Sequence, residues 1–129
     1  MTVRLTDEQR AVLERTNYGH LATLMKDGSP QVTPVWVDVE GDHVLVNTAA
    51  GRLKDRNVRR DPRVAISVRD NEAGEDALAI RGRVVEITEN GAVDHINRLS
   101  HKYRGEDFPR VPGQVRLILR IEPEHVTGP

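Results

Sequence analysis

Residues 19–48 read GHLATLMKDGSPQVTPVWVDVEGDHVLVNT. β-Type residues fill three runs here, and each run ends on a turn sequence. The first, GHLATLM at 19–25, stops at Lys26-Asp27-Gly28-Ser29, whose Asp-Gly pair is a strong hairpin signal. The second, QVTPVWVDV at 31–39, sets Val35, Val37 and Val39 along one face. Pro34 inside it cannot donate to a ladder, so an irregularity or a sheet edge is expected there. Glu40-Gly41-Asp42 makes the next turn, and a third strand follows at 43–48.

The rest of the chain fits the same pattern. Thr6 with Asp7, Glu8 and Gln9 forms a capping box, which predicts a short helix over 7–15. After 48 the character changes: small residues and Gly51 lead into RLKDRNVRR, a short helix with Leu53 and Val58 as apolar contacts, stopped by Asp61-Pro62. Strands are expected at 63–69 and, beyond an acidic loop at 70–76, at 77–87 around Gly82. Thr88 or Asn90 should cap a helix carrying Ala92, Val93, Ile96, Leu99 and Tyr103 on one stripe. A loop with two prolines spans 104–113. A final strand at 114–122 places Val115, Leu117, Leu119 and Ile121 on one face, with Arg116 and Arg120 flanking Ile118 on a half-buried other face. The fold class is therefore mainly β, an antiparallel sheet of about six strands closing into a small barrel with short flanking helices.

Composition bounds the function. At 129 residues the expectation is one domain, 1–129. The absence of cysteine removes disulfides, thiolate nucleophiles and Cys-ligated metals. A net charge of −1 argues against bulk nucleic-acid binding. The four aromatics Tyr18, Trp36, Tyr103 and Phe108 are few for a stacking platform on single strands. No segment nears the roughly 20 apolar residues that cross a bilayer. The start, MTVRLTDE, lacks an apolar leader core, so a cytoplasmic location is expected.

Familiar catalytic signatures are absent: no G-x-S-x-G elbow, no G-x-G-x-x-G and no Walker sequence. The histidines at 20, 43, 95, 101 and 125 show no metal-ligand spacing, so no metal is expected. Asp38 and Glu40 share a strand face beside a turn, where acids are normally solvated. Sixteen of the 19 basic residues are arginine, which suits oxyanion recognition and equally a GC-rich coding sequence. The stretch GRLKDRNVRRDPR at 51–63 holds six cations against two aspartates, net +4, which leaves −5 for the rest of the chain. A helix start with free N–H groups and basic side chains favours an anion, with Arg52 and Lys54 in its first turn. The other reading of the block is a solvated basic helix paired with nearby carboxylates.

GHLATLM, DGSPQVTPVW and NTAAGRLKDRNVRRDPR, taken in order with YRGEDFP at 103–109, resemble the flavin/deazaflavin oxidoreductases. The similarity is to the pyridoxamine-phosphate-oxidase-like split barrels, and within them to the coenzyme F420-dependent branch. The resemblance implies a homodimer with cofactor in two interfacial clefts. It implies that Arg52 and Lys54 of the G-R-x-K segment hold the phosphate, with Gly51 and Thr48 beside them. The flat ring would lie against the strand from Gln31 to Trp36, with Thr33, Pro34 and Val35 near its edge. Asn57 and Arg60 would help hold the tail or the dimer. Arg56, Arg59 and Arg63 tilt the choice from FMN toward the longer, more anionic F420. The chain ends short of the substrate segment of pyridoxamine phosphate oxidases proper, so another substrate is implied. The expected activity is hydride transfer from reduced F420 to an unsaturated organic acceptor (enone, quinone or tetrapyrrole), with no nucleic-acid or membrane partner. No side chain stands out as the catalytic acid, and solvent is the expected proton source. An FMN-dependent oxidoreductase and a non-catalytic F420 carrier are the alternatives.

Overall fold

The computed structural model describes residues 3–72 and 77–129. Of the expected acidic loop, residues 73–76 lie outside that range, as do Met1 and Thr2 of the chain start. Helix α1 (Asp7–Glu14) has the full capping box: Gln9 N–H donates to Thr6 Oγ1 (3.0 Å) and Thr6 N–H to Gln9 Oε1 (2.9 Å). Strands β1 (Tyr18–Leu24) and β2 (Pro30–Trp36) form a hairpin in full register from Leu24↔Pro30 to Tyr18↔Trp36. Its loop closes with Gly28 N–H on Met25 O (2.9 Å) and Met25 N–H on Ser29 O (2.8 Å), and Gly28 takes φ +88°. That is a tight turn followed by a left-handed residue, the conformation for which glycine is the ready choice.

Seven strands form, one more than expected, because the run at 31–39 is two strands. β2 stops at Trp36 and β3 (Asp38–Glu40) begins after Val37. Helix α3 (Ala92–Arg104) makes the break: Val37 N–H donates to Tyr103 Oη (3.1 Å), and Val37 O accepts from Lys102 Nζ (2.9 Å). Pro34 causes no irregularity. It lies in continuous register on the edge strand, the second of the two expected outcomes.

β4 (His43–Ala49) leads through a turn into α2 (Leu53–Arg60), followed by β5 (Arg63–Arg69), β6 (Ala77–Thr88) and β7 (Arg116–Thr127). All ladders are antiparallel, in the order β2-β1-β5-β6-β7-β4-β3. Val35 of β2 and Val44 and Val46 of β4 nevertheless belong to one core with Leu21, Ile66, Ile80 and Leu119. A sheet whose distant strands share a core has curled round it, here without a hydrogen-bonded seam between its two edge strands. The barrel is split.

The long pair β6–β7 carries the curl, with register shifts at Arg81/Gly82 and Val84/Glu86. A Cβ on Gly82 would stand 2.1 Å from Glu122 O, so only glycine admits the approach. α1 closes one end of the core with Val12 and Leu13, and α2 covers the other with Val58. The face of β7 expected to be half buried is covered by α3, with Ile118 packed beside Ala92 and Leu45. Val115 precedes β7 and is exposed, and β7 runs on through Pro123. α3 starts after Gly91, in the left-handed region, and neither Thr88 nor Asn90 is its cap. Its expected apolar stripe holds at Ala92, Ile96 and Leu99, whereas Val93 faces out.

Candidate functional site

Alternation along the strands puts Gln31, Thr33 and Val35 of β2 on the interior face, opposite Thr23, Leu21 and Gly19 of β1. On β4 the same face carries Val44, Val46 and Thr48. The core is therefore apolar at the α1 end and polar at the α2 end, where Thr23, Gln31, Thr33, Thr48 and Asn57 gather. Thr23 Oγ1 donates to Gln31 Oε1 (3.4 Å) and accepts from Asn57 Nδ2 (3.0 Å). The hydroxyls of Thr33 and Thr48 are buried without a hydrogen-bond partner among the described residues. Buried hydroxyls are normally satisfied, and each orphan costs about 1–3 kcal/mol. Two on the same face at the same end fit a site built for a polar ligand.

The edge strand adds backbone groups. With the ladder bonds falling on Gln31, Thr33 and Val35, the backbone of Val32 and Pro34 points away from β1, and β2 is an outermost strand. Pro34 occupies a position where no ladder bond is lost. Its ring is exposed, on the outer face.

The basic block divides into paired and unpaired cations. Arg59 is tied to Asp55 (2.8 Å) and Arg63 to Asp61 (2.7 Å), so neither offers free charge to a tail. Arg60 donates to Leu24 O and to Asn57 Oδ1, both at 2.8 Å. With Asn57 99% buried, this pair pins α2 to β1. Gly51, at φ +87°, gives its N–H to Asp55 Oδ2 (2.8 Å). Arg52 is the N-cap of α2 with no side-chain cap bond, so the first helical N–H groups stay open. Its side chain is exposed. Lys54 is half-buried with no carboxylate partner, and burial, then Arg52, then Arg116 push its ammonium below the usual lysine range.

The sequence reading places Arg116 with Arg120 on a half-buried strand face, and nothing local marks it out from Arg120. It pairs with Ala49 in the β4–β7 ladder, which brings it beside the turn into α2. Burial, then Arg52, lowers its pKa. Asp38 also departs from the solvated reading. Its Oδ2 lies 3.0 Å from Nε2 of the fully buried His95. Burial pushes the Asp38 carboxyl up, but the hydrogen bonds from His95 and Val39 N–H and the Lys102 charge outweigh it and hold the group low. The four aromatics form one row: Tyr18 against Tyr103 (5.4 Å), Trp36 stacked on Tyr103 (5.3 Å, 5°), and Phe108 edge-on to Trp36 (6.3 Å). Among the described residues no group of three His, Asp or Glu converges as a metal site, and no helix is long and apolar enough to cross a membrane.

Comparison with solved structures agrees with this architecture. An F420 reductase is 30% identical, with a TM-score of 0.83 over 95% of this chain and 98% of that one. A Listeria innocua protein, provisionally described as a pyridoxamine 5'-phosphate oxidase, is 23% identical at a TM-score of 0.73, covering 95% of each chain. The conserved hypothetical protein Rv2991 of Mycobacterium tuberculosis is 24% identical at 0.74, over 98% of this chain and 85% of its own. The latter two share the fold. Residues 5–128 match the family described as pyridoxamine 5'-phosphate oxidase. With its split barrel and nearly its whole length so matched, the chain belongs to the pyridoxamine 5'-phosphate oxidase family of flavin and deazaflavin proteins.

Proposed function

We propose that this chain is an oxidoreductase that binds coenzyme F420 and passes a hydride from its reduced form to an unsaturated organic acceptor of the enone, quinone or tetrapyrrole type. The observation that carries this reading is the pairing of two open features at one end of the barrel. At the start of α2, which has no side-chain cap, neither Arg52 nor Lys54 has an ion-pair partner among the described residues. The Asp55 carboxylate of the same turn is engaged by Gly51 N–H and Arg59, and Thr33 and Thr48 hold unpaired buried hydroxyls on the adjoining strands. The similarity to an F420 reductase supports the choice of cofactor.

The residues present fit such a group. Arg52, Lys54 and the open N–H groups of α2 would take the phosphate, with Gly51 allowing the turn before them. Thr33, Thr48 and Gln31 would meet polar atoms of the ring system, and the free backbone at Pro34 leaves the edge of β2 accessible beside Val35. Asn57 and Arg60 act indirectly, by fixing α2 against β1. The cofactor supplies the hydride-donating carbon when bound; the protein supplies binding, orientation and a dry apolar wall. Solvent is taken as the proton source in this reading.

Two copies would pair through the outer face of β1, β2, β5 and β6, completing each cleft. The protein would work in the cytoplasm, without a membrane or nucleic-acid partner. Parallel titration of the purified protein with F420 and FMN tests the cofactor. Tighter binding of F420, followed by turnover of its reduced form with an added quinone, is expected. Tighter FMN binding would replace the reading with a flavin enzyme, and F420 binding without turnover of any acceptor would make the chain a carrier.

A further inference from the structure

Arg116 is 9% exposed and, among the described residues, has no carboxylate within ion-pair distance. Its Nε donates to Asn47 Oδ1 (2.9 Å) and Nη1 to Gln114 Oε1 (3.0 Å), while Phe108 lies against the guanidinium at 5.0 Å. Nη2 has no partner among the described residues. A charge this deeply buried normally has a counter-charge, because leaving it unmatched is costly.

The guanidinium is also held in place from behind. Asn47 spends one amide hydrogen on Ala92 O (2.9 Å) and the other on His95 Nδ1 (3.1 Å), so its oxygen must face Arg116. His95 then carries its proton on Nε2 and gives it to Asp38. Two half-buried side chains, Asn47 and Asp38, with the buried His95 between them, thus aim one cation. Arg116 lines a cavity of about 650 Å³ between α3 and residues 107–114, walled by Val93, Ile96, Phe108, Pro109 and Val111. Asp94 and Asp107 also line it, Asp107 being held by His101 (2.6 Å), and Arg110 adds a second cation to the lining.

Position orders the contacts along a ligand. Thr48 faces the interior of the barrel, whereas Asn47 and Arg116 lie on the opposite, α3-facing side of β4 and β7. The turn from Ala49 to Arg52 separates them. Arg116 is near enough to feel the charges of Arg52 and Lys54, yet the cavity that it lines runs beneath α3. A ligand with its ring at the hydroxyls and its phosphate at Arg52 and Lys54 therefore fills that cavity only by continuing past the phosphate. A terminal monoester such as that of FMN ends too soon. A phosphodiester carrying a carboxylate-bearing tail continues.

We propose that Arg116 is a specificity-determining residue that binds a carboxylate of the F420 tail beyond the phosphodiester, the tail entering the cavity beneath α3. This rests on the cofactor reading above. The test is a fluorescence titration of the full-length protein with three probes: F420, the 5'-phosphate of the same chromophore without its tail, and FMN. Wild type should bind F420 at least tenfold tighter than the tail-less phosphate. Arg116→Gln should lose that factor for F420 and stay within twofold for both other probes, and Arg116→Lys should recover part of it. Equal affinity of wild type for F420 and the tail-less phosphate overturns the inference while leaving the cofactor reading intact, and so does an equal loss on all three probes in Arg116→Gln. Should Arg116→Gln not fold, Arg116→Lys with the same three probes decides, a loss confined to F420 supporting the inference and no loss or an equal loss on all three overturning it. A wild-type protein that binds no F420 overturns both.

Discussion

Lys54 stands half-buried between Arg52 and Arg116, where both burial and like charge favour its neutral form. Its folded pKa is lowered, so its proton leaves at a lower pH than that of an ordinary lysine. Anion affinity that depends on this charge should decline as pH rises through the lowered value. Lys54→Arg should flatten the decline, because guanidinium stays charged; a titration series from pH 7 to 10 reads both slopes. Replacing Arg52 and Lys54 together by Ala should weaken F420 binding about tenfold or more, since one lost charge-assisted bond of ~1.4 kcal/mol already gives that factor. Unchanged affinity would remove the phosphate from this end of α2. Thr48→Val makes the complementary case. The hydroxyl is buried and unpaired, so an isosteric methyl should leave the melting temperature of the ligand-free protein equal or higher, while cofactor affinity falls. A variant that loses stability without loss of affinity would show the hydroxyl to be structural.

Whether an element could be read from sequence depended on how local its causes are. The capping box of α1 and the turn at 26–29 are written in neighbouring residues, and both formed as their chemistry dictates. The break at Val37 is not local: Tyr103 and Lys102, far along the chain, take over the backbone groups that a continuous strand would use. Similarly, Arg52 and Lys54 stand out within a basic block, but their companion Arg116 arrives only through the β4–β7 register. The spacing of charges along 51–63 also failed to separate cations engaged by Asp55 and Asp61 from those left open. Helix α2 shows how such engagement fixes an element. Asn57 is buried and bonds Thr23, Met25 and Arg60 at once. Asn57→Ala should cost about 1–3 kcal/mol in denaturant melts. It should also weaken cofactor binding, because α2 carries the groups proposed to hold the phosphate. Full stability in that variant would mean that α2 is held by Val58 alone.

The curl of the whole sheet leaves most of its outer β2-β1-β5-β6 face without a covering helix, α3 reaching only Tyr18 and Trp36 through Tyr103. Tyr18 and Val32 are 52% and 58% exposed there, next to the exposed ring of Pro34. A shallow recess of about 390 Å³ lies on this side, lined by Ala22, Leu24, Pro30 and Ala65 with Arg63 and Arg81 at its border. A patch of small and apolar side chains with Arg63, Arg81 and Glu124 at its margin suits a two-fold contact, in which the same surface meets itself. The edge strand points the same way. β2 lies at the rim of this face, so a second copy docked on it would wall the open side of the ring position from Gln31 to Val35. Dimerisation and cofactor binding are then linked: whatever separates the copies also opens the cleft. Val32→Glu places two like charges across the two-fold contact and leaves the core untouched. Sedimentation should show a dimer for wild type and a monomer for Val32→Glu, the variant keeping its far-UV spectrum and losing F420 affinity. A wild-type monomer that binds F420 as tightly as proposed would sink the interfacial cleft and confine the site to the residues of one chain.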